Sequence, residues 1–539
     1  MKSKLLLLSF LIPCFASAQS DFGPKEEADY RNFVSTLASD SFMGRKPFTK
    51  GEEITTNYIR DEFQSMGLKP GNHDSYFQNV PMVEIKGRFK DDKVTLTGKN
   101  GSIDLEPMTE VVGGTRRVVA EQKIENAPLV FVGFGIDAPE YHWNDFAGID
   151  VKGKILIVMV NDPGFYNPKL FRGKNMTYYG RWTYKFEEAA RKGAAGVLII
   201  HDTKPASYGW GVVKSSWGSS KLFLQTANGN MNFCALEGWI SGDATSKLFE
   251  LAGIKNASAL IERAKHPGFK AVSIPLKLSA TIINQIKKSN SKNVVGLLPG
   301  TSRKNEYLIF SAHWDHFGVG EPINGDSIYN GAADNASGVA GMMTLAKKFK
   351  EGKPNERSIL FIALTGEEAG LLGSEYYATH PIYPLKKTVA DINFDVLQPF
   401  GKMKDIFLIG KGQSAIDNYL EAEAKKEGRI VRSVPDPSNG WYYRSDHFNF
   451  AKVGIPTLYT GTGVESVEHG EVWGKAQEAD YNTNRYHKPQ DNYYPSWDVS
   501  GTMADLNLIY ETARKLANTN DFPKWDEGTM YKKIRDAQK

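Results

Sequence analysis

Apolar positions change period along the chain, and each change predicts a different kind of structure. In the first stretch after the N-terminus the spacing is helical. Tyr30, Phe33, Val34, Leu37 and Ala38 fall on one face, and Ile54, Tyr58, Ile59, Phe63 and Met66 on another, with Gly67 as a stop. The segment Phe42-Met-Gly-Arg-Lys-Pro-Phe between them reads as a loop. From Pro81 short β-like runs take over, at Lys93–Thr97, Leu129–Phe134 and Ile155–Val160, punctuated by Gly and Pro. A helix is predicted over Lys185–Gly193, followed by the buried-strand run Ala195–Ile200. This β-rich stretch ends near Val272 and reads as an inserted domain.

From Lys277 strand and helix patterns alternate. Strands are expected at Asn293–Leu298, Tyr307–Ser311, Ser358–Leu364, Val389–Phe394 and Pro456–Tyr459. Helices are expected at Gly338–Lys350, Gly370–His380, Ser414–Glu427 and Ser500–Ala517. Alternation of this kind predicts an α/β fold, a mainly parallel mixed sheet with helices on both faces, whose ligands bind beyond the carboxyl ends of the strands. The expected division is 1–18 as a leader, 19–80 as a helical part of the main domain, 81–272 as the insert, 273–520 as the catalytic domain and 521–539 as a charged tail.

Composition narrows the function classes. The chain has 539 residues, 41% hydrophobic and 24% charged, with a formal net charge of +4. No basic block exists beyond the N-terminus, so nucleic acid and anionic membrane surfaces are not expected partners. Lys2 and Lys4, the apolar core Leu5–Phe15 and the small-residue site Ala16-Ser17-Ala18 have the order of a cleavable secretory signal. That core is too short to span a bilayer, so a secreted or periplasmic protein without stable membrane insertion is expected. The mature chain then keeps one cysteine, Cys234, which cannot form an internal disulfide. Stability must come from the core and bound metal.

Candidate chemistry concentrates at the ends of the predicted strands. His313-Trp-Asp315-His316, Asp334 in a Gly-rich turn, Glu367-Glu368 and Asp395 are joined far downstream by Tyr486-His487 in a segment ending at Asp491. Two imidazoles and three carboxylates with one carboxylate to spare suit a pair of hydrolytic zinc ions. Asp334 is the natural bridge between two metals, because the Gly-rich turn lets the backbone bend tightly. Glu367 and Glu368 are adjacent at a strand end, so one can bind metal while the other serves as base. Asp315 is placed to hold the far nitrogen of His313. His316 and His447, both in Asp-His contexts, read as structural or as supports behind the ligands.

These motifs resemble the co-catalytic zinc peptidase family that includes bacterial leucyl aminopeptidase, yeast aminopeptidase Y and glutamate carboxypeptidase II, over Lys277 to Thr519 and the N-terminal helices. The resemblance implies a zinc-exopeptidase (phosphorylase/hydrolase-like) fold and two Zn2+ ions per chain. One zinc would be completed by His313 and Asp395 and the other by Glu368 and His487, with Asp334 bridging. It further implies Glu367 as general base, Asp315 as orienter, Tyr486 as a group near the oxyanion, and a cis peptide at Asp334–Asn335. One departure is that Ala332 and Ala333 stand where many members carry an acidic residue. The insert resembles a protease-associated domain, through Gly148–Val158 and Lys185–Ile200. Most of its aromatic residues are expected to form its core, with Tyr208 to Trp217 the part best placed to face the cleft.

The function so implied is an exported di-zinc aminopeptidase acting on peptide substrates. A carboxypeptidase or dipeptidase on the same fold would need a basic carboxylate pocket, for which Arg181 and Arg444 are the available residues. Glutaminyl cyclase-like acyl transfer with a single zinc, and a non-catalytic binding protein like the transferrin receptor, both fit poorly with a complete ligand set.

Overall fold

The computed structural model describes residues 22–538; the predicted leader 1–18 lies outside them. Helices α1 (Pro24–Leu37) and α2 (Lys50–Ser65) begin the described chain. The 22-residue strand β1 (Phe77–Gly98) leads into a second unit containing β2 (Glu121–Phe131), β3 (Ile155–Met159), helix α3 (Trp182–Arg191), β4 (Gly196–Ile200) and β5 (Leu236–Ile240). The 27-residue strand β6 (Val272–Leu298) returns. After it come β7 (Arg303–His313), α4 (Ser337–Glu351), β8 (Arg357–Leu364), α5 (Leu372–Thr379), β9 (Thr388–Phe394), β10 (Asp405–Leu408), α6 (Ile416–Lys426), β11 (Ile430–Ser433), β12 (Thr457–Thr462), α7 (Gly470–Asn484), α8 (Ser500–Asn518) and α9 (Met530–Asp536).

The strands join in one mixed sheet ordered β11-β10-β12-β9-β7-β8-β6-β2-β3-β4-β5 along its main path. Its centre, β8-β7-β9-β12, is parallel, and the edge partners β6 and β10 are antiparallel. In the second unit β2 to β5 are parallel to one another. The ribbon of β1 and β6, paired antiparallel from Phe77 to Gly98, connects the two halves, so the expected borders at 81 and 272 sit on one continuous piece of sheet.

Alternation along the central strands assigns the layers. Leu308, Phe310, Ala312, Ile359, Phe361 and Ala363 pack with α1, α2, α4 and α8 on one face. Tyr307, Ile309, Leu360, Ile362 and Leu364 pack with Tyr377 of α5 and with Phe450 on the other. Every residue of β8 is buried, because both faces are covered. Such strands read as unbroken apolar runs, which is why their carboxyl ends were visible in the sequence.

The inserted unit has its own core, which also reaches the main one: Tyr178, Tyr179 and Tyr184 pack with Tyr442, Tyr443, Phe448, Trp525 and Tyr531. The C-terminal segment, charged in sequence, thus buries Trp525 and Tyr531. Tyr443 Oη donates to the Met176 carbonyl at 2.9 Å across the same junction. The expectation that Tyr208 to Trp217 face the cleft is corrected. Tyr208, Trp210 and Trp217 lie against the insert's own core, where the Trp210 indole donates to Met108 O at 3.1 Å, and Trp182 and Tyr178 take the cleft wall. Among the described residues no helix is long and apolar enough to cross a membrane.

Candidate active site

The carboxyl ends of three parallel strands and two loops converge on one point. His313 ends β7, Glu367 and Glu368 follow β8, and Asp395 follows β9. Asp334 enters from the turn that opens α4, and the Asp334–Asn335 peptide is cis. Gly331 makes that turn possible. It sits at φ 54°, and a Cβ there would lie 2.1 Å from Asp334 O and 2.5 Å from His316 Cδ2. His487 follows α7 with φ 58°, an uncommon backbone for a non-glycine residue and one that clusters at functional sites.

Asp334 is central. Its Oδ1 is 3.3 Å from His313 Nε2, and its Oδ2 is 3.2 Å from His487 Nε2. His313 Nε2 is also 3.3 Å from Asp395 Oδ1, and His487 Nε2 is 3.4 Å from Glu368 Oε2. Donor atoms of His313, Asp334 and Asp395 lie within 4.8 Å of one another, as do those of His316, Asp334 and Glu368. Asp334 therefore faces both groups, one oxygen each way.

The electrostatics fit cations. Burial and the neighbouring Asp334 carboxylate push Glu368 well above the usual carboxylate range; burial, Asp395 and Glu368 do the same to Glu367. Burial opposes protonation of His313, but Glu367, Asp395 and Asp334 outweigh it and hold its pKa well above the ordinary value. Asp334, desolvated yet hydrogen-bonded by His313 and His487, is held well below its own. Four carboxylates and three imidazoles at this density are nitrogen and oxygen donors suited to zinc, and buried carboxylates need compensating positive charge.

Asp315 departs from its expected contact. Its carboxylate lies 3.9 Å from His313 Nδ1, which instead sits 3.2 Å from the Asp315 backbone carbonyl. The carboxylate accepts the Glu367 N–H at 3.1 Å, tying the β7 end to the turn that carries both glutamates. Tyr486, 36% exposed, stacks on His487 with ring centres 3.7 Å apart and faces the cleft.

Three residues beyond the expected ligands belong to the site. His316 is buried, with Nδ1 2.6 Å from Glu368 Oε1; its partner lies 52 positions away, which no local motif shows. Asp491 accepts the N–H groups of Ala333 and Asp334 at 3.0 Å each and so holds the turn bearing the central aspartate, beside the two alanines that replace an acidic residue. Arg45, in the loop between α1 and α2, is buried beneath the same turn. We expect Asp491→Asn to weaken zinc binding about 10–100-fold with little change in the unfolding midpoint. Competition with a fluorescent chelator reads this, and wild-type affinity in the variant would remove Asp491 from the support of the site.

The cluster opens into a cleft of ≈690 Å³ between the two halves, lined among others by Glu367, Glu368, Tyr486, His487, Trp182 and Leu371. Comparisons with known proteins agree with this arrangement. Residues 293–510 match the family described as Peptidase family M28, and residues 125–230 match the PA domain. Aminopeptidase YwaD of Bacillus subtilis is 28% identical over 408 residues, covering 73% of this chain and 69% of that one. Leucine aminopeptidase 2 of Arthroderma otae is 25% identical over 281 residues, 50% of this chain and 52% of its own, so the chain spans about half the length of that relative. Among solved structures, the aminopeptidase from Aneurinibacillus sp. strain AM-1 is 20% identical, with coverage of 92% and 95% and a TM-score of 0.47. The chain is thus similar to peptidase family M28 over residues 293–510 and to the PA domain over residues 125–230.

Proposed function

We propose that the protein is an exported metallo-aminopeptidase that removes N-terminal residues from peptides, using two zinc ions. The observation that carries this reading is Asp334, whose two oxygens address two separate nitrogen and carboxylate groups at the carboxyl edge of the sheet. We assign His313 and Asp395 to one ion, Glu368 and His487 to the other, and Asp334 to both. His316, already engaged with Glu368, orients that carboxylate. Zinc bound by these residues would supply Lewis acidity and lower the pKa of a bound water.

The remaining chemistry belongs to the chain. Glu367 is the carboxylate left outside both donor groups. It takes the proton of the attacking water and returns it to the departing amine. Its backbone is fixed by Asp315 through its N–H and by the Gly370 and Leu371 N–H groups at 2.8 and 2.9 Å through its carbonyl, so the base is held in place before substrate arrives. The phenol of Tyr486 faces the same cleft, where it can donate a hydrogen bond to the developing oxyanion. Export is carried by the predicted signal at residues 1–18.

The test is mass-spectrometric digestion of a free peptide beside its N-acetylated twin, with and without chelator. Stepwise loss of N-terminal residues, blocked by acetylation and by chelation, is the expected result. Loss from the C-terminus, or indifference to acetylation, would overturn the aminopeptidase assignment.

A further inference from the structure

Four basic side chains, Arg116, Lys452, Arg181 and Arg444, line the cleft with four glutamates, of which Glu367 and Glu368 belong to the reacting centre. Glu187 accepts the Tyr178 hydroxyl and pairs with Lys452 at 2.9 Å, and Glu375 lies in the field of Lys452 and Arg116. Arg116 is in turn paired with Glu237 at 2.7 Å. Two further guanidiniums line the same cleft, Arg181 from the insert and Arg444 from the catalytic side.

Arg181 makes no ion pair and no side-chain hydrogen bond among the described residues, and its Nε is enclosed without a partner. Its side chain lies against the turn at Gly440, where a Cβ would stand 3.4 Å from Arg181 Cδ and 2.8 Å from Met176 Sδ. Gly440 is at φ 66°, so this close approach is one that glycine permits. Arg444 leaves from the same turn. Its Nη2 donates to Asn439 O at 2.8 Å and its guanidinium lies over the Trp441 ring at 4.6 Å, with no carboxylate in contact. Burial and the like charge of Arg444 pull Arg181 down to about 10. Two arginines that meet at one turn, Arg444 leaving from it and Arg181 lying against it with an enclosed donor, form a receptor for a planar anion.

The receptor is close to the reacting centre. Ser445, the next residue after Arg444, accepts a hydrogen bond from Asn393 Nδ2 at 2.7 Å, two positions before Asp395. Tyr486 is an electrostatic neighbour both of Arg444 and of Glu367 and Glu368. We propose that Arg181 and Arg444 bind a substrate carboxylate lying within a residue or two of the scissile bond, which makes short peptides with a free C-terminus the preferred substrate class. An extended chain advances about 3.5 Å per residue, so a long peptide carries its terminal carboxylate past the site. This inference rests on the hydrolytic reading above.

The experiment compares two matched pairs, Leu-Gly against Leu-Gly-amide and Leu-Glu-amide against Leu-Gln-amide, on the wild type, Arg181→Gln and Arg444→Gln. In the wild type kcat/KM is expected to favour the acid of at least one pair about 10–100-fold, mainly through KM, as a charge-assisted contact would. The ratio is expected to fall towards one in both variants. Preference in the first pair identifies the terminal carboxylate, and preference in the second an acidic side chain. Equal rates in both wild-type pairs, or a preference that survives both substitutions, would overturn the subsite. Calorimetric binding of the same pairs to Glu367→Gln protein decides it independently of turnover. Acid preference there beside a wild type that hydrolyses nothing would sink the hydrolytic reading and leave the subsite standing, whereas equal binding would sink the subsite.

Discussion

On the proposed assignment of Glu367 as base, Glu367→Gln is expected to keep its bound zinc and to lower peptide turnover by about 10²–10⁴-fold, the usual contribution of a positioned general base. The substitution preserves volume and the hydrogen-bonding backbone of the turn, because the contacts that fix this residue run through its N–H and carbonyl. What it removes is the ability to accept a proton. Glu367 Oε2 stands 3.9 Å from His313 Nε2, farther than either Asp334 or Asp395 at 3.3 Å, and it belongs to neither group of converging donors. Its neighbour behaves differently. Glu368 reaches both His316 and His487, so Glu368→Gln is expected to lose metal along with activity. Zinc stoichiometry by mass spectrometry, measured beside kcat and KM, separates the two roles. Full turnover in Glu367→Gln would place the base elsewhere, and loss of a zinc ion would make Glu367 a ligand.

That two adjacent glutamates could be told apart only in part from the sequence illustrates how the fold is written. The central strands were legible because burial on both faces leaves an unbroken apolar run, as in Ile359 to Leu364, and the chemistry sits where each run stops. The β1–β6 ribbon was legible only at Lys93–Thr97 and Asn293–Leu298, because its partners lie far apart in sequence and its surface carries Lys86, Arg88 and Lys90 in place of a clean apolar face. Helix α7 was missed for a related reason. Only Gly474 and Tyr481 are buried along it and Val472 is 86% exposed, so no apolar stripe marks its period. Within the site, residues presented by strand ends announced themselves, whereas Asp491 and Arg45 act on backbone groups of distant loops. A side chain whose partners are carbonyls and N–H groups leaves no complementary residue type in the sequence to be recognised.

Arg45 is where that blind spot carries the largest energetic consequence. Its guanidinium is 1% exposed and donates to four carbonyls: Nε to Trp314 O at 2.9 Å, Nη1 to Leu37 O at 2.8 Å and Asn330 O at 2.5 Å, and Nη2 to Gly331 O at 2.9 Å. These carbonyls belong to the end of α1, the strand end that carries His313 and the turn that carries Asp334, so one side chain fixes the relative position of two segments assigned above to metal binding. Burial pulls its pKa down to about 10, and Asp491, Asp334, Asp315 and Glu368 oppose that shift, which means the cation and the acidic cluster stabilise each other. Arg45→Met keeps the length of the side chain and removes the arginine donor from all four carbonyls, of which Gly331 O keeps the Ala336 N–H at 3.0 Å. The expected cost is about 3–5 kcal/mol in the unfolding of the catalytic half, with zinc affinity about 10–100-fold lower from the loosened turn. Arg45→Lys retains the charge but offers three donors from a single point in place of a planar fork, so it is expected to fall between the two. Urea denaturation of the metal-free protein, paired with chelator competition on the loaded protein, reads both effects. A methionine variant that matches the wild type in both measurements would show that the loops hold their geometry without the arginine. Loss of zinc affinity at an unchanged unfolding midpoint would instead assign Arg45 to the electrostatics of the site rather than to the staple between its loops.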